Sequence, residues 1–154
     1  MIQLELKIPP PLVAAVVATA MLCASIWLGP VLALPPTARV AGALMLVAVG
    51  ASFDLVSLLA FRRARTTINP LRPERSKAVV TSGLYRITRN PMYLGLVLIL
   101  TGLALYLDSP WALPGPLVFA AYITRFQIQP EERALTAHFG ADYTAYCARV
   151  RRWL

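Results

Sequence analysis

The sequence predicts an all-α, polytopic integral membrane protein with about four transmembrane helices and a C-terminal interfacial helix. Three observations carry this. Of the 154 residues, 58% are hydrophobic and only 14% charged, against about 45–50% apolar and about 25% charged in soluble domains. The apolar residues gather into four long runs. The basic residues, which give a net charge of +8, sit in the segments between alternate runs. The length corresponds to one domain. It divides into a helical hairpin, 1–61, and a second half made of loop 62–90, hairpin 90–128 and tail helix 130–154.

The first run, residues 12–34, is broken only by Gly29-Pro30, and the second, 40–61, holds the single charge Asp54. Both meet the roughly 17–25 residues that a spanning helix needs. A signal peptide is the competing reading of the first run. However, "IQLELKIPPP" before it lacks a positive segment and another long run follows at once. The third run, 92–107, reaches spanning length if it starts at Asn90. The fourth, 111–124, does so if it continues to Ile128 through Arg125.

Orientation follows from the arginines. The loop carries Arg62, Arg63, Arg65, Arg72, Arg75, Lys77, Arg86 and Arg89 against one acid, Glu74. The tail adds Arg133, Arg149, Arg151 and Arg152, whereas the two short connections hold only Arg39 and Asp108. The excess of positive charge places both termini and the long loop in the cytoplasm, as in a bacterial inner-membrane protein. Such basic segments meet anionic lipid headgroups, so the charge implies no nucleic-acid partner.

Within the first hairpin, Gly42, Ala43, Gly50, Ala51 and Ser52 suit close helix packing. Such small-residue faces serve an internal neighbour or a second copy equally, and the oligomeric state stays open. Asp54 lies within reach of the loop, so an ion pair with a loop arginine is its commoner role and a place in a site the alternative. The loop itself is too long for a simple connection, and "INPLRPERSKAVVTSG" is rich in turn formers. In the tail, Pro130 followed by Glu131 and Glu132 reads as a helix start. Leu135, Phe139, Tyr143, Tyr146 and Val150 then share one face, and Gly140 ends a first short helix. The basic opposite face predicts a helix lying on the membrane surface.

Several chemistries find no support. There is no G-x-G-x-x-G, no P-loop and no G-x-S-x-G. His138 has no neighbouring ligand for a metal, and Cys23 and Cys147 lack zinc spacing or matched settings for a disulfide. Cys147 reads as a small residue on a helix surface. What remains is a pocket at the cytoplasmic interface. Asn90 would cap the third span, with Pro91 next, and Glu131 and Glu132 leave the fourth span at the same level. Tyr85 and Tyr93 would lie between them. A polar, aromatic pocket with one or two carboxylates suits a cationic ligand, with a lipophilic partner arriving from the bilayer. Taken singly, each feature has a plainer role as a helix cap or an interfacial aromatic belt.

"VTSGLYRITRNPMYLG", followed about 35 residues later by "EERALTAHFGADYTAYCARVRRWL", resembles the isoprenylcysteine carboxyl methyltransferase and phospholipid methyltransferase superfamily. These are membrane-embedded enzymes that use S-adenosylmethionine. The resemblance covers residues 77–154. It implies cofactor contacts at Lys77, Ala78, Val79, Val80, Tyr85, Asn90, Pro91, Met92, Tyr93 and Glu131, with Glu132 adjoining. Asn90 stands where the isoprenylcysteine enzymes have histidine, and Gln127 where they have a substrate-holding arginine. Arg125 or Gln127 would accordingly face the acceptor, a lipophilic small molecule or a lipid. Two other readings stay open: a nicotinamide-dependent membrane reductase of related fold, and a non-enzymatic membrane scaffold.

Overall fold

Proline opens four of the helices. In the computed structural model, which describes residues 5–29, 34–64 and 78–154, these are α1 (Pro10–Leu28), α2 (Pro36–Arg63), α3 (Pro91–Leu107) and α4 (Pro114–Ile123). A proline in the first turn forfeits nothing, because the N–H groups there have no intrahelical carbonyl to meet. Two more helices follow, α5 (Gln129–Phe139) and α6 (Ala141–Arg149), with 3-10 turns at Gly83–Arg86 and Pro110–Ala112. Among the described residues there is no strand, only an isolated bridge between Thr88 and Arg151. The all-α expectation holds.

Two helices are long and apolar enough to cross a bilayer, α1 over Pro10–Trp27 and α2 over Pro36–Arg63. Only 22% and 11% of the residues in their apolar windows are buried, so neither is the core helix of a soluble domain. Val16, Ile26, Trp27, Leu44 and Met45 are all more than half exposed, an outward apolar surface that water would penalise and lipid accepts. The 28 residues of α2 extend about 42 Å, beyond the roughly 30 Å of a hydrocarbon core. At 17 residues, α3 is a shorter apolar helix.

Glycine decides how α2 meets α3. A Cβ on Gly50 would stand 2.6 Å from the Gly95 carbonyl oxygen, and one on Gly102 would stand 2.9 Å from that of Ala43. The two backbones touch, as small residues permit in membrane helices. Of the residues expected to pack here, Gly42, Ala43 and Gly50 do so, while Ala51 and Ser52 face outward because they lie on the opposite arc of α2. On the other side of α3, α1 and α4 close a core of Val13, Met21, Leu100, Ala104, Phe119 and Ile123. At the end away from the long loop, Asp108 adopts a left-handed conformation (φ 53°) after α3. Its carboxylate accepts hydrogen bonds from the Leu34 N–H (3.3 Å) and Arg39 Nη1 (3.2 Å), clipping the α1–α2 connection to the α3–α4 connection.

Two expectations about the tail need correction. Pro130 does not begin a fresh helix: α4 runs through a π-helical turn, Thr124–Ile128, directly into α5. Pro130 has no N–H to give the Phe126 carbonyl four residues back, and that carbonyl instead accepts a hydrogen bond from the Leu6 N–H at 3.0 Å. A π turn next to a proline is the backbone's way of absorbing the missing bond. Nor does the aromatic face of the tail lie free for a membrane surface. Leu135, Phe139, Tyr143, Tyr146 and Val150 pack together and against Val79, because the segment before α3 offers that face a partner within the chain. The break at Gly140 stands where expected, with φ +54°, a conformation costly for any residue with a Cβ.

Candidate active site

The segment from Ala78 to Asn90 is held in place by turns and by the C-terminus. Leu84 O accepts hydrogen bonds from both the Ile87 and Thr88 N–H groups, and Ser82 O from that of Tyr85. The Tyr146 hydroxyl donates to the Tyr85 carbonyl at 2.7 Å. The chain end then lies alongside: Arg89 N–H donates to Arg151 O at 3.0 Å, and Asn90 Nδ2 to Arg152 O at 2.9 Å. Asn90 does occupy the position before α3, but its side chain makes no capping bond. The amide is spent on the C-terminal segment, and Thr88 Oγ1 accepts the Asn90 N–H instead (3.1 Å).

A cavity of about 500 Å³ opens beside this segment, within the 300–1,000 Å³ typical of small-molecule sites. One wall is Ala78, Val79, Val80 and Tyr85, a second is Arg89 and Asn90 with Met92, Tyr93 and Leu96 of α3, and a third is Ile128, Glu131, Glu132 and Leu135. Tyr143 and Tyr146 of α6 close it from the tail, Asp54, Leu55, Leu58 and Phe61 of α2 from the side, and Pro10 and Pro11 complete it. Phe61 meets Tyr85 edge-on, with ring centroids 5.5 Å apart.

Two adjacent glutamates behave differently. Glu132 is neutralised: Oε1 accepts from Arg89 Nη2 at 2.8 Å and Oε2 from Arg152 Nη2 at 2.7 Å. This clamp ties α5 to the residue before Asn90 and to the chain end. Glu131 forms no ion pair among the described residues. Its Oε1 accepts from the Tyr93 hydroxyl at 2.6 Å and from Gln127 Nε2 at 2.8 Å. Burial drives its pKa up from an ordinary 4.5 to about 7, against the two hydrogen bonds and with some help from the negative charge of Glu132. Burial also raises the phenols of Tyr85, Tyr143 and Tyr146 above their ordinary 10, so all three stay neutral donors. Asp54 carries the third carboxylate, and its Oδ1 has no hydrogen-bond partner. The ion pair expected for it with a loop arginine is absent among the described residues; Arg65, Arg72 and Arg75 lie outside them.

Of the residues the sequence singled out, Ala78, Val79, Val80, Tyr85, Asn90, Met92, Tyr93, Glu131 and Glu132 line one cavity. Pro91 is buried behind it at the start of α3, and Lys77 lies outside the described residues. Arg125 and Gln127 do not line it. Arg125, on the π turn, is exposed and pairs with Glu5 (2.6 Å). Gln127 is buried and supports Glu131 from behind. Sequence reasoning missed Leu55, Leu58 and Phe61, which read only as span residues, and the Arg89 clamp; Asp54 carried a signal, as the lone charge in an apolar run. His138 and Cys23 lie away from the cavity, and no metal-binding cluster occurs among the described residues.

The sequence pattern of the phospholipid methyltransferase family matches residues 38–142. An uncharacterized protein of Haemophilus influenzae is 44% identical over 63 residues, 41% of this chain and the whole of that protein. Protein-S-isoprenylcysteine O-methyltransferases B and A of Arabidopsis thaliana are 29% and 28% identical over 110 residues, 70% of this chain. The chain spans about half the length of those two plant enzymes, 54% in each case. No solved structure matches the chain.

Proposed function

We propose, since this chain belongs to the phospholipid methyltransferase family, that it transfers a methyl group from S-adenosylmethionine to a lipophilic acceptor at the cytoplasmic face of a membrane. The observation that carries this is the charge of the cavity. Two adjacent carboxylates, Glu131 and Glu132, line it from α5, and only Glu132 is neutralised by arginine among the described residues. A ligand bearing ammonium and sulfonium groups supplies the missing positive charge. The tyrosine walls add ring faces that attract such a cation.

When bound, S-adenosylmethionine supplies an electrophilic methyl group on a positively charged sulfur. The chain contributes position and environment. Glu131, held by Tyr93 and Gln127, would bind the ammonium or ribose end. Tyr85, Tyr93 and the backbone of Ala78–Val80 would shape the cavity around the donor, and the Arg89–Glu132–Arg152 clamp fixes the walls to each other. Alignment of two reactants in such a site removes several kcal/mol of barrier without acid–base machinery at the donor. The acceptor would come from the apolar side, where Leu55, Leu58 and Leu96 line the cavity. The four-span topology with both termini cytoplasmic belongs to the same reading: the starts of α1 and α3, the last turns of α2 and the end of the π turn all border this cavity.

The test is equilibrium dialysis of the purified full chain in detergent against tritiated S-adenosylmethionine and against NADPH. Saturable binding of the first, without the second, is the expected result. Tight NADPH binding without S-adenosylmethionine binding would overturn the methyl-donor reading in favour of a reductase, and binding of neither would also overturn it.

A further inference from the structure

The cavity holds one carboxylate that cofactor binding does not account for. Asp54 lies nine residues before the end of α2 at Arg63, about 14 Å along the helix axis, on the apolar side of the cavity. Its Oδ1 sits over Gly95, where a Cβ would come within 2.6 Å. Glycine at that position is what makes room for the carboxylate. No described residue donates a hydrogen bond or a positive charge to it. A charged group inside a span is costly unless it has a task, and a buried acceptor oxygen without a donor calls for a ligand.

The groups that share the cavity with Asp54 define that ligand. From α3 comes Tyr93, from the 3-10 turn Tyr85, and from α5 Glu131; α1 contributes only Pro10 and Pro11. Among the described residues, the cavity's cation is Arg89, and it is committed to Glu132. With Glu131 given to the donor, an acceptor entering as a carboxylate would therefore still meet the Asp54 carboxylate, with no free cation among the described residues lining the cavity to offset it. An acceptor carrying a proton on its reacting atom would find in Asp54 a place to leave it.

Resting on the methyl-donor reading above, we infer that Asp54 is the catalytic base of the acceptor side, and that the acceptor is a lipophilic amine, thiol or hydroxyl compound instead of a carboxylate. The balance is simple. The lone pair of the acceptor heteroatom forms the new bond to the methyl carbon. The carbon–sulfur bond breaks and leaves its electron pair on sulfur, which becomes a neutral thioether. The heteroatom's proton passes to Asp54, which holds it as the neutral acid until water removes it. A carboxylate acceptor has no proton to give and needs no such group.

Asp54→Asn and Asp54→Glu test this in the full-length protein in detergent. Dodecylamine, 1-dodecanethiol and lauric acid serve as acceptor probes with tritiated S-adenosylmethionine. Wild type should label the amine or the thiol and not the acid. Asp54→Asn should bind S-adenosylmethionine within about twofold of wild type yet lose at least a hundredfold in labelling, with partial recovery in Asp54→Glu. In cofactor-free protein, calorimetry should show dodecylammonium binding at least tenfold weaker to Asp54→Asn than to wild type. Preferential labelling of lauric acid overturns the inference, as does undiminished labelling by Asp54→Asn. A loss of S-adenosylmethionine affinity in that variant also overturns it, by moving Asp54 to the donor. If wild type binds the donor but labels no probe, equal dodecylammonium affinity of the two proteins overturns it and a tenfold difference supports it. Wild type that binds no S-adenosylmethionine fails the methyl-donor reading itself.

Discussion

The protonation of Glu131 should be visible as a pH dependence of donor binding. A cation binds the ionised carboxylate, and burial holds the free group's pKa at about 7. At pH 5.5 roughly 3% of the free sites are ionised, and at pH 7 roughly half are. Affinity for S-adenosylmethionine should therefore rise about fifteenfold across that window. The ligand's α-amino group, with a pKa near 8, stays charged throughout. Glu131→Gln removes both the charge and the titration, so its affinity should be low and flat with pH. Dialysis at half-unit steps measures both profiles. Equal affinity of wild type at the two ends of the window, or a slope that survives in Glu131→Gln, would refute the assignment. The same shift bears on stability. The folded state holds the proton between 4.5 and 7 while the unfolded chain does not, so the contribution is most favourable below 4.5. It is lost as pH rises through 7, by roughly 3 kcal/mol. Without ligand, Glu131→Gln should accordingly melt higher than wild type at pH 8 and much less so at pH 5.

Three further outcomes follow from packing and charge. Gly95→Val places carbon where the Gly50 carbonyl and Asp54 already stand; overpacking of this kind costs about 1–3 kcal/mol and should lower the thermal midpoint in detergent. Glu132→Gln leaves Arg89 and Arg152 without their shared acid, and hydrogen bonds to charged groups are worth about 1.5–3 kcal/mol each. Donor affinity should fall more than tenfold by dialysis, because the clamp positions Asn90 and Glu131 together. Asp108→Ala removes the acceptor for Leu34 and Arg39 at the opposite end. It should lower the midpoint by a few degrees while leaving donor affinity unchanged, which separates stability from function.

Much of the candidate site was legible because it lies in two short stretches of sequence. Asn90-Pro91-Met92-Tyr93 and Glu131-Glu132 carry a pattern of rare polar residues in an apolar chain, and a tyrosine and an acid that read as facing each other do form a 2.6 Å hydrogen bond. What the pattern mistook were side-chain directions. Asn90 looked like a helix cap, but the returning C-terminus offered its amide a better acceptor in Arg152 O. The family resemblance put Arg125 or Gln127 toward the acceptor; both lie on the π turn, where one pairs with Glu5 and the other donates to Glu131.

By itself, the sequence determined the solvent and several element boundaries: apolar run lengths fix which segments prefer lipid, and Pro91 and Gly140 mark where one helix begins and another breaks, whereas Pro130 marks no start. These are local preferences, readable without knowing any neighbour. The tertiary structure decided the partners. Whether Glu132 is neutralised and Glu131 is not, whether Asp54 is paired or open, and whether the tail's aromatic face meets lipid or its own chain all depend on which residues far apart in sequence come within about 3 Å of each other. Hydrogen bonding and desolvation act at that range, so the charge that gives the cavity its chemistry appears only once the chain has folded around it.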